Sequence, residues 1–388
     1  MYKVKCYNPI AERGLDMLGD NYTVVDTEDD INVALVRSAK LHDTEFNKDL
    51  FAIARAGAGV NNIPLQRCAE EGIVVFNTPG ANANAVKELV VAGMIMASRN
   101  IPRANRWVNE NIDDPDLAKS VEKNKKQFVG REVIGKRLGV IGLGAIGIEV
   151  ANACADLGME VVGYDPYIAI HHAFKLSKRV AYVRDLNEVL STCDYITIHT
   201  PAVEGTKGLF NKENIDKMKD GVILLNFARP ELIVAADLKE AIDAGRVQYY
   251  VTDFPNEDTK MFKNFIAIPH LGASTEEAEE NCAVMAVDEV KDFIENGNIL
   301  HSVNYPDTDM GPAGPTARIT ILHKNKANML GQFTSAIGNT GLNIDKLVNQ
   351  SREDFAYTML DVDVETVDQN LVETLNTIDG VIRVRVIA

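Results

Sequence analysis

Residues 137–147 read Arg-Leu-Gly-Val-Ile-Gly-Leu-Gly-Ala-Ile-Gly, and this stretch decides the fold. Its apolar, β-branched start has the length of a buried strand, and the glycines then fall at Gly142, Gly144 and Gly147, with Ala145 and Ile146 between the last two. Beyond them Ile146, Val150, Ala153 and Leu157 recur at helical spacing. The order is therefore strand, tight turn, helix. Glycine at the first position permits the turn. At the second it lets a pyrophosphate approach the backbone, and at the third it lets the helix pack on the strand, with the helix N-terminus facing the anion.

Three glycines alone are a weak signal, and the flanks supply the rest. A second strand, Glu160-Val161-Val162-Gly163-Tyr164, ends on Asp165, which lies 165 − 147 = 18 residues past the last glycine. An acid about 20 residues on accepts both ribose hydroxyls of an adenosine and repels a 2′-phosphate, which predicts NAD and not NADP. The plain alternative is a βαβ unit that binds nothing.

Toward the N-terminus, β-rich runs at 4–7, 24–25, 34–36, 52–55 and 73–76 alternate with helical stretches such as 65–71, predicting a first parallel α/β unit. A long apolar helix follows over 84–99. Residues 109–127 are acidic at Asp113, Asp114 and Asp116, then basic at Lys119, Lys123, Lys125 and Lys126, and read either as a solvated excursion or as an arm for oligomer contacts. Toward the C-terminus, strands at 195–199, 222–226, 247–253 and 265–268, with a helix at 235–244, complete a dinucleotide-binding domain of about six parallel strands. An amphipathic helix, 275–295, leads away from it to a Pro/Gly-rich linker at 305–315. The last 70 or so residues read βαββαβ, the order of the ferredoxin-like fold.

The expected architecture is α/β: two Rossmann-like, doubly wound parallel-sheet domains and a separate ferredoxin-like module. Residues 1–98 with 279–304 form a substrate-binding domain, 99–278 the cofactor domain, 305–316 the linker and 317–388 the C-terminal module.

The chain has 388 residues, 46% of them hydrophobic, which is ample for such cores. Its net charge of −16 argues against nucleic acid or an anionic membrane as the main partner, so any phosphate must be met by a local basic pocket. The first residues lack a signal-peptide core, and no apolar run reaches the ~18 residues of a membrane span. Five scattered cysteines without a C-x-x-C pair read as reduced core residues of a cytoplasmic protein. No metal site is expected; the adjacent His171 and His172 lack a carboxylate at ligand spacing and read as a surface pair.

Hydride transfer needs a cation for the substrate carboxylate, an acid/base for the hydroxyl proton and a carboxylate to tune that base. Three residues sit where strands of the cofactor domain end, the edge at which ligands of parallel sheets gather: Arg229, His270 and Glu257. A glutamate beside a histidine favours the imidazolium. Each has a plain reading too: a helix-start arginine, a capping histidine before Gly272 and a solvated loop acid.

The motifs at 142–147, Tyr164-Asp165-Pro166, His199-Thr200-Pro201, Ala228-Arg229 and 269–275 resemble the D-isomer-specific 2-hydroxyacid dehydrogenases. The stretches 36–39, 55–62 and 77–79 resemble members that oxidise 3-phospho-D-glycerate to 3-phosphohydroxypyruvate at the start of phosphorylated serine synthesis. The tail, with His323-Lys324-Asn325 and Leu342-Asn343-Ile344-Asp345, is similar to an ACT regulatory domain.

The resemblance implies that Arg229, Glu257 and His270 are the catalytic set and that Thr200, Pro201, Ala228, Asp253 and Gly272 join Asp165 and the glycine turn around NAD. It also implies that Arg37, Ser38 and Arg55 meet the substrate phosphate, with Ala58, Gly59 and Asn82 beside them. His323, Asn325 and Asn343 match positions that bind L-serine in the family, and a homodimer or homotetramer is implied. The chain departs from the pattern where Pro230 and Glu231 replace two glycines and where only 270 − 257 − 1 = 12 residues separate Glu257 from His270. Two other functions stay open: a dehydrogenase for another D-2-hydroxy acid, such as the glyoxylate or lactate type, and a non-enzymatic NADH-sensing protein.

Overall fold

The computed structural model describes residues 1–387, apart from the side chain of His171, so the expected surface position of that side chain and the last residue of the chain lie outside what is described. The described residues divide into two compact units, 1–81 with 279–387, and Asn82–Ala278.

The first unit opens with five strands: β1 (Tyr2–Cys6), β2 (Tyr22–Val25), β3 (Val33–Val36), β4 (Ala52–Arg55) and β5 (Val74–Asn77). They run parallel in the order β2-β1-β3-β4-β5. The order reverses between β1 and β3, and in such sheets ligands bind beyond the strand ends at that reversal. Asn8 follows β1 there and Arg37 follows β3. β3 reads as an unbroken apolar run, and β4 as one up to Arg55, because both faces of the sheet are covered.

The C-terminal strands are β13 (Arg318–Lys324), β14 (Ile344–Arg352), β15 (Phe355–Val362) and β16 (Val381–Ile387), antiparallel in the order β14-β15-β13-β16. Helices Met329–Gly338 and Gln369–Asn376 complete the expected βαββαβ order. One sheet face buries Ile319, Ile321, Leu360 and Val362 with those helices. The other buries Leu322, Phe355, Tyr357 and Met359 in the same core as Phe76, Phe293 and Tyr305. The Pro/Gly-rich linker and the C-terminal module, expected as a separate one, thus belong to the first compact unit.

Polar contacts tie down the same interface. Tyr357 donates to the Gly297 carbonyl (2.7 Å), Arg352 to that of Ser302 (2.7 Å) and Arg383 to those of Leu50 and Lys48. The Pro/Gly stretch is packed as well: Tyr305 is fully buried, and Arg318 donates to the Gly311 carbonyl (2.8 Å) while paired with Asp361 (2.7 Å).

The second unit holds seven parallel strands: β6 (Arg137–Ile141), β7 (Glu160–Tyr164), β8 (Val180–Val183), β9 (Tyr195–Ile198), β10 (Val222–Asn226), β11 (Val247–Thr252) and β12 (Phe265–Ala267). Their order is β12-β11-β10-β9-β6-β7-β8. The edge strand β8 is one more than expected; only Val180 and Val183 of its four residues are buried, a weak pattern in sequence. Helix Ala83–Ser98 belongs here, so the boundary falls at 81/82 and not at 98/99, because Val86, Val90 and Met94 pack with Val140, Leu225 and Val251. Residues 109–127, read as an excursion, lie mostly in helices Ile101–Glu110 and Leu117–Asn124, neither of which buries a residue. Among the described residues, no helix is long and apolar enough to cross a membrane, and no cluster of His, Cys, Asp and Glu could hold a metal ion.

Candidate active site

In the second unit the strand order reverses between β6 and β9, and the glycine turn lies there. Gly142 has φ +92°, and a Cβ on it would stand 2.6 Å from the His199 carbonyl oxygen. A Cβ on Gly147 would stand 1.9 Å from the Gly142 carbonyl oxygen, so only glycine lets helix Ala145–Asp156 start this close to the turn. At Gly144, the N-cap, a Cβ would meet nothing within 4 Å, which leaves room for a ligand. The carboxylate of Asp165 accepts from the backbone N–H of Leu143 and of Tyr167 (both 2.8 Å), which fixes it at the end of β7 beside the turn.

The loops after β9 and β11 each carry a buried acceptor with no protein partner: Thr200 Oγ1 and Asp253 Oδ1. Such atoms are costly unless a ligand or water completes them, and donors such as a nicotinamide carboxamide would do so. With the cradle at Gly144 and the acid at Asp165, the residues present fit NAD. His199, behind this loop, shares a hydrogen bond with the Thr197 hydroxyl (2.9 Å), and burial pushes its pKa down to about 3, so it stays neutral.

At the ends of β10, β11 and β12 the structure brings Arg229, Phe254 and His270 together. The Arg229 guanidinium lies 5.7 Å from the centre of the Phe254 ring, and that ring lies 4.4 Å from the imidazole of His270. Arg229 is held by Asn226, a fully buried residue that the sequence reading missed. Its Nδ2 donates to the Arg229 carbonyl (2.8 Å), and its Oδ1 accepts from the N–H of Ala228 (3.1 Å) and of Arg229 (3.3 Å). Pro230 and Glu231 are absorbed in a 3-10 turn, Pro230–Leu232, whose proline starts the turn and whose leucine is buried.

Asp253 is buried beside them, with the Gly272 N–H donating to it; burial raises its pKa, against the pull of His270 and Arg229. Glu257 stands apart: it opens the 3-10 helix Glu257–Met261, its side chain is 88% exposed and it pairs with Lys260. Among the described residues no hydrogen bond or ion pair joins Glu257 to His270, whereas the Asp253 carboxylate interacts electrostatically with the imidazole. Asn82, expected with the phosphate-binding residues, lies in the second unit at the start of helix Ala83–Ser98, with its Oδ1 buried and unpartnered.

In the first unit a cavity of about 520 Å³ is lined by Arg37, Ser38, Lys40, His42, Arg55, Asn61 and Asn62. Arg37, Ser38 and Arg55 were expected; Lys40 and His42, two and four residues beyond Ser38 on the same loop, were not. Ala58 and Gly59 are not among its walls, although Asn77 donates to the Ala58 carbonyl (2.6 Å). Asn8, at the sheet reversal, accepts through one oxygen from three successive N–H groups, those of Arg37 (3.0 Å), Ser38 (3.0 Å) and Ala39 (2.9 Å). That clasp fixes the loop, and no motif in the sequence announced it. Arg55 Nε donates to the Arg37 carbonyl (3.0 Å), and a Cβ on Gly57 would strike the Arg55 guanidinium at 2.5 Å.

In the C-terminal module His323 is buried, with one ring nitrogen on Thr358 and the other on the Lys324 carbonyl (2.9 and 2.8 Å). Asn325 donates to the Glu353 carbonyl and Asn343 to Asp345. His323 pairs with Ala356 of β15, whereas Ile344, next to Asn343, pairs with Val362. At ~3.4 Å per residue these stations lie roughly 20 Å apart on one sheet. Within one chain the three residues are not together.

Residues 91–272 match the family model described as D-isomer specific 2-hydroxyacid dehydrogenase, NAD binding domain. D-3-phosphoglycerate dehydrogenase of Haemophilus influenzae is 33% identical over 350 residues, which is 87% of this chain and 81% of that protein. The chain belongs to the D-isomer-specific 2-hydroxyacid dehydrogenases. Another similar member of these dehydrogenases is D-3-phosphoglycerate dehydrogenase of Bacillus subtilis, 39% identical over 79% of this chain and 59% of its own length. The chain thus spans about three fifths of that longer relative. Among solved structures, NAD+-bound 3-phosphoglycerate dehydrogenase of Entamoeba histolytica is 26% identical, covers 78% of this chain and 98% of its own, and has a TM-score of 0.59. The glycine turn, Asp165, Arg229 and His270 all fall within the family's NAD-binding domain.

Proposed function

We propose that this protein is an NAD-dependent dehydrogenase of 3-phospho-D-glycerate, forming 3-phosphohydroxypyruvate at the entry to phosphorylated serine synthesis. The observation that carries the reading is the cavity of the first unit, where a chain of net charge −16 places Arg37, Lys40 and Arg55 around one space, with His42 beside them. A dianionic phosphate is the ligand such a concentration of cations suits. The names of the similar proteins point the same way.

Bound NAD supplies the hydride acceptor. Arg229 holds the substrate carboxylate through its planar fork, and the Phe254 ring contacts both the Arg229 guanidinium and, in a tilted arrangement, the His270 imidazole. His270 takes the proton of the 2-hydroxyl as hydride leaves the same carbon. Asp253 interacts electrostatically with His270, and its unpartnered oxygen would accept from the carboxamide of a bound nicotinamide. Glu257 takes the place of that tuning acid only if its loop turns from Lys260 toward His270.

The C-terminal module is the regulatory part of this reading, with L-serine as effector. Because its three polar residues are split between the two ends of one sheet, a serine site built from all of them requires two copies, in keeping with a homodimer or homotetramer. Five unpaired cysteines suit a reducing, cytoplasmic setting. The test is NADH formation from 3-phospho-D-glycerate with and without L-serine; no NADH from this substrate would overturn the reading.

A further inference from the structure

The cavity of the first unit contains a contradiction that the proposed function does not explain. Arg37, one of its three fixed cations, is already occupied by an acid: its Nη2 donates to Glu279 Oε1 at 2.5 Å. Glu279 lies in the first turn of helix Glu276–Asn296, where the helix dipole favours an acid. Both side chains are 42% exposed, so the pair is open to exchange with ions from solution. The backbone under Arg37 is clasped by Asn8, so the loop stays in place whether or not the pair is made.

We propose that Glu279 is an internal anion that occupies Arg37 in the ligand-free protein and must yield it when an external phosphate enters. The inference rests on the reading of this cavity as the phosphate site. An exposed carboxylate offers one negative charge and a single hydrogen bond here, whereas a phosphate offers two charges and three acceptor oxygens, with Arg55 and Lys40 in the same walls. The phosphate therefore wins, at reduced affinity. A phosphate that left the pair intact would sit beside an acid of its own sign, which also weakens binding. Glu279 is thus a specificity residue of the site. It keeps three cations from repelling one another while the cavity holds no ligand, and it raises the concentration at which simple inorganic anions compete.

The test uses the full chain and two conservative variants, Glu279→Gln and Glu280→Gln. Glu280 is the neighbour on the same turn but pairs with Arg13 (2.9 Å), so its variant carries the same change in net charge away from the cavity. Exposed ion pairs are worth up to about 1 kcal/mol, or about fivefold, and the like-charge penalty adds to this. Inorganic phosphate, followed by titration calorimetry, should bind Glu279→Gln about three to ten times more tightly than wild type, and Glu280→Gln like wild type. The KM for 3-phospho-D-glycerate should fall by the same factor in Glu279→Gln, with Glu279→Asp keeping a wild-type KM.

Unchanged or weaker phosphate binding in Glu279→Gln would overturn the proposal and make Glu279 a support for Arg37. Tighter binding in both Gln variants would overturn it too, as a general charge effect. Tighter phosphate binding in Glu279→Gln alone, in a protein that forms no NADH from 3-phospho-D-glycerate, would sustain the proposal and defeat the functional reading.

Discussion

Alanine at Gly144 and at Gly147 should separate what the glycine turn does for the fold from what it does for the cofactor. At Gly147 the new Cβ would lie 1.9 Å from the Gly142 carbonyl oxygen, and clearing it to 3.0 Å moves one backbone segment by 3.0 − 1.9 = 1.1 Å. Both partners are backbone, so no side chain can absorb the shift, and overpacking of this kind costs about 1–3 kcal/mol. At Gly144 nothing lies within 4 Å and the backbone angles, φ −77° and ψ −165°, suit alanine, so stability should change by no more than about 0.5 kcal/mol. A methyl there does occupy the space a pyrophosphate would fill. Losing one hydrogen bond to a charged oxygen costs about 1.5–3 kcal/mol, or about 10- to 150-fold in affinity. The assay pairs urea unfolding with NADH titration followed by nicotinamide fluorescence. Gly144→Ala should unfold like wild type and bind NADH at least tenfold more weakly; Gly147→Ala should lose both. Wild-type NADH affinity in Gly144→Ala would show that the pyrophosphate does not lie on this turn.

Other changes test other parts of the account. His270→Gln should lose turnover by about 10²-fold or more while NADH titration stays at the wild-type value, and near-normal turnover would remove His270 from the proton step. Asp361→Asn leaves the Arg318 guanidinium, 1% exposed, without its counter-charge, and should cost about 3–5 kcal/mol in urea unfolding. A loss below about 1 kcal/mol would mean that the pair contributes little between the strands β13 and β15 that it joins. Glu289 is buried against His301 at 2.8 Å, and burial raises its pKa to about 7, while the glutamate raises that of His301. The folded pair thus keeps a proton that the unfolded chain releases from Glu289 near pH 4.5, so the contribution of the pair to stability falls as pH rises from 4.5 to 7. Glu289→Gln should remove that decline, so that the difference in unfolding free energy between the two proteins changes with pH across this window; a constant difference would refute the assignment.

Much of the second unit was legible because its signals are local. The glycines, the acid at Asp165 and the strand ends at Arg229 and His270 are each read within a dozen or so residues, and the structure places them at one edge of one sheet. What escaped depends on partners far apart in the chain. The docked C-terminal module rests on contacts such as Arg383 with the Leu50 carbonyl, 333 residues away, and its sequence mark is the strand Phe355–Val362, buried at every position and not in alternation. Asn8 and Glu279 escaped for the same reason: neither belongs to a motif, and each matters only because the fold brings it to Arg37. Glu257 shows the converse. Its place just beyond a strand end suggested a catalytic acid, although its spacing to His270 is short for the pattern, and a 3-10 turn capped by Asn256 pairs it with Lys260.

Whether the cations around Arg37 read a phosphate is measured most directly by the ratio of kcat/KM for 3-phospho-D-glycerate to that for unphosphorylated D-glycerate. Two charge-assisted hydrogen bonds at about 1.5–3 kcal/mol each predict a ratio of roughly 10² or more in wild type, falling by at least tenfold in Arg37→Ala. A ratio near one in wild type, or the same ratio in both proteins, would contradict the account.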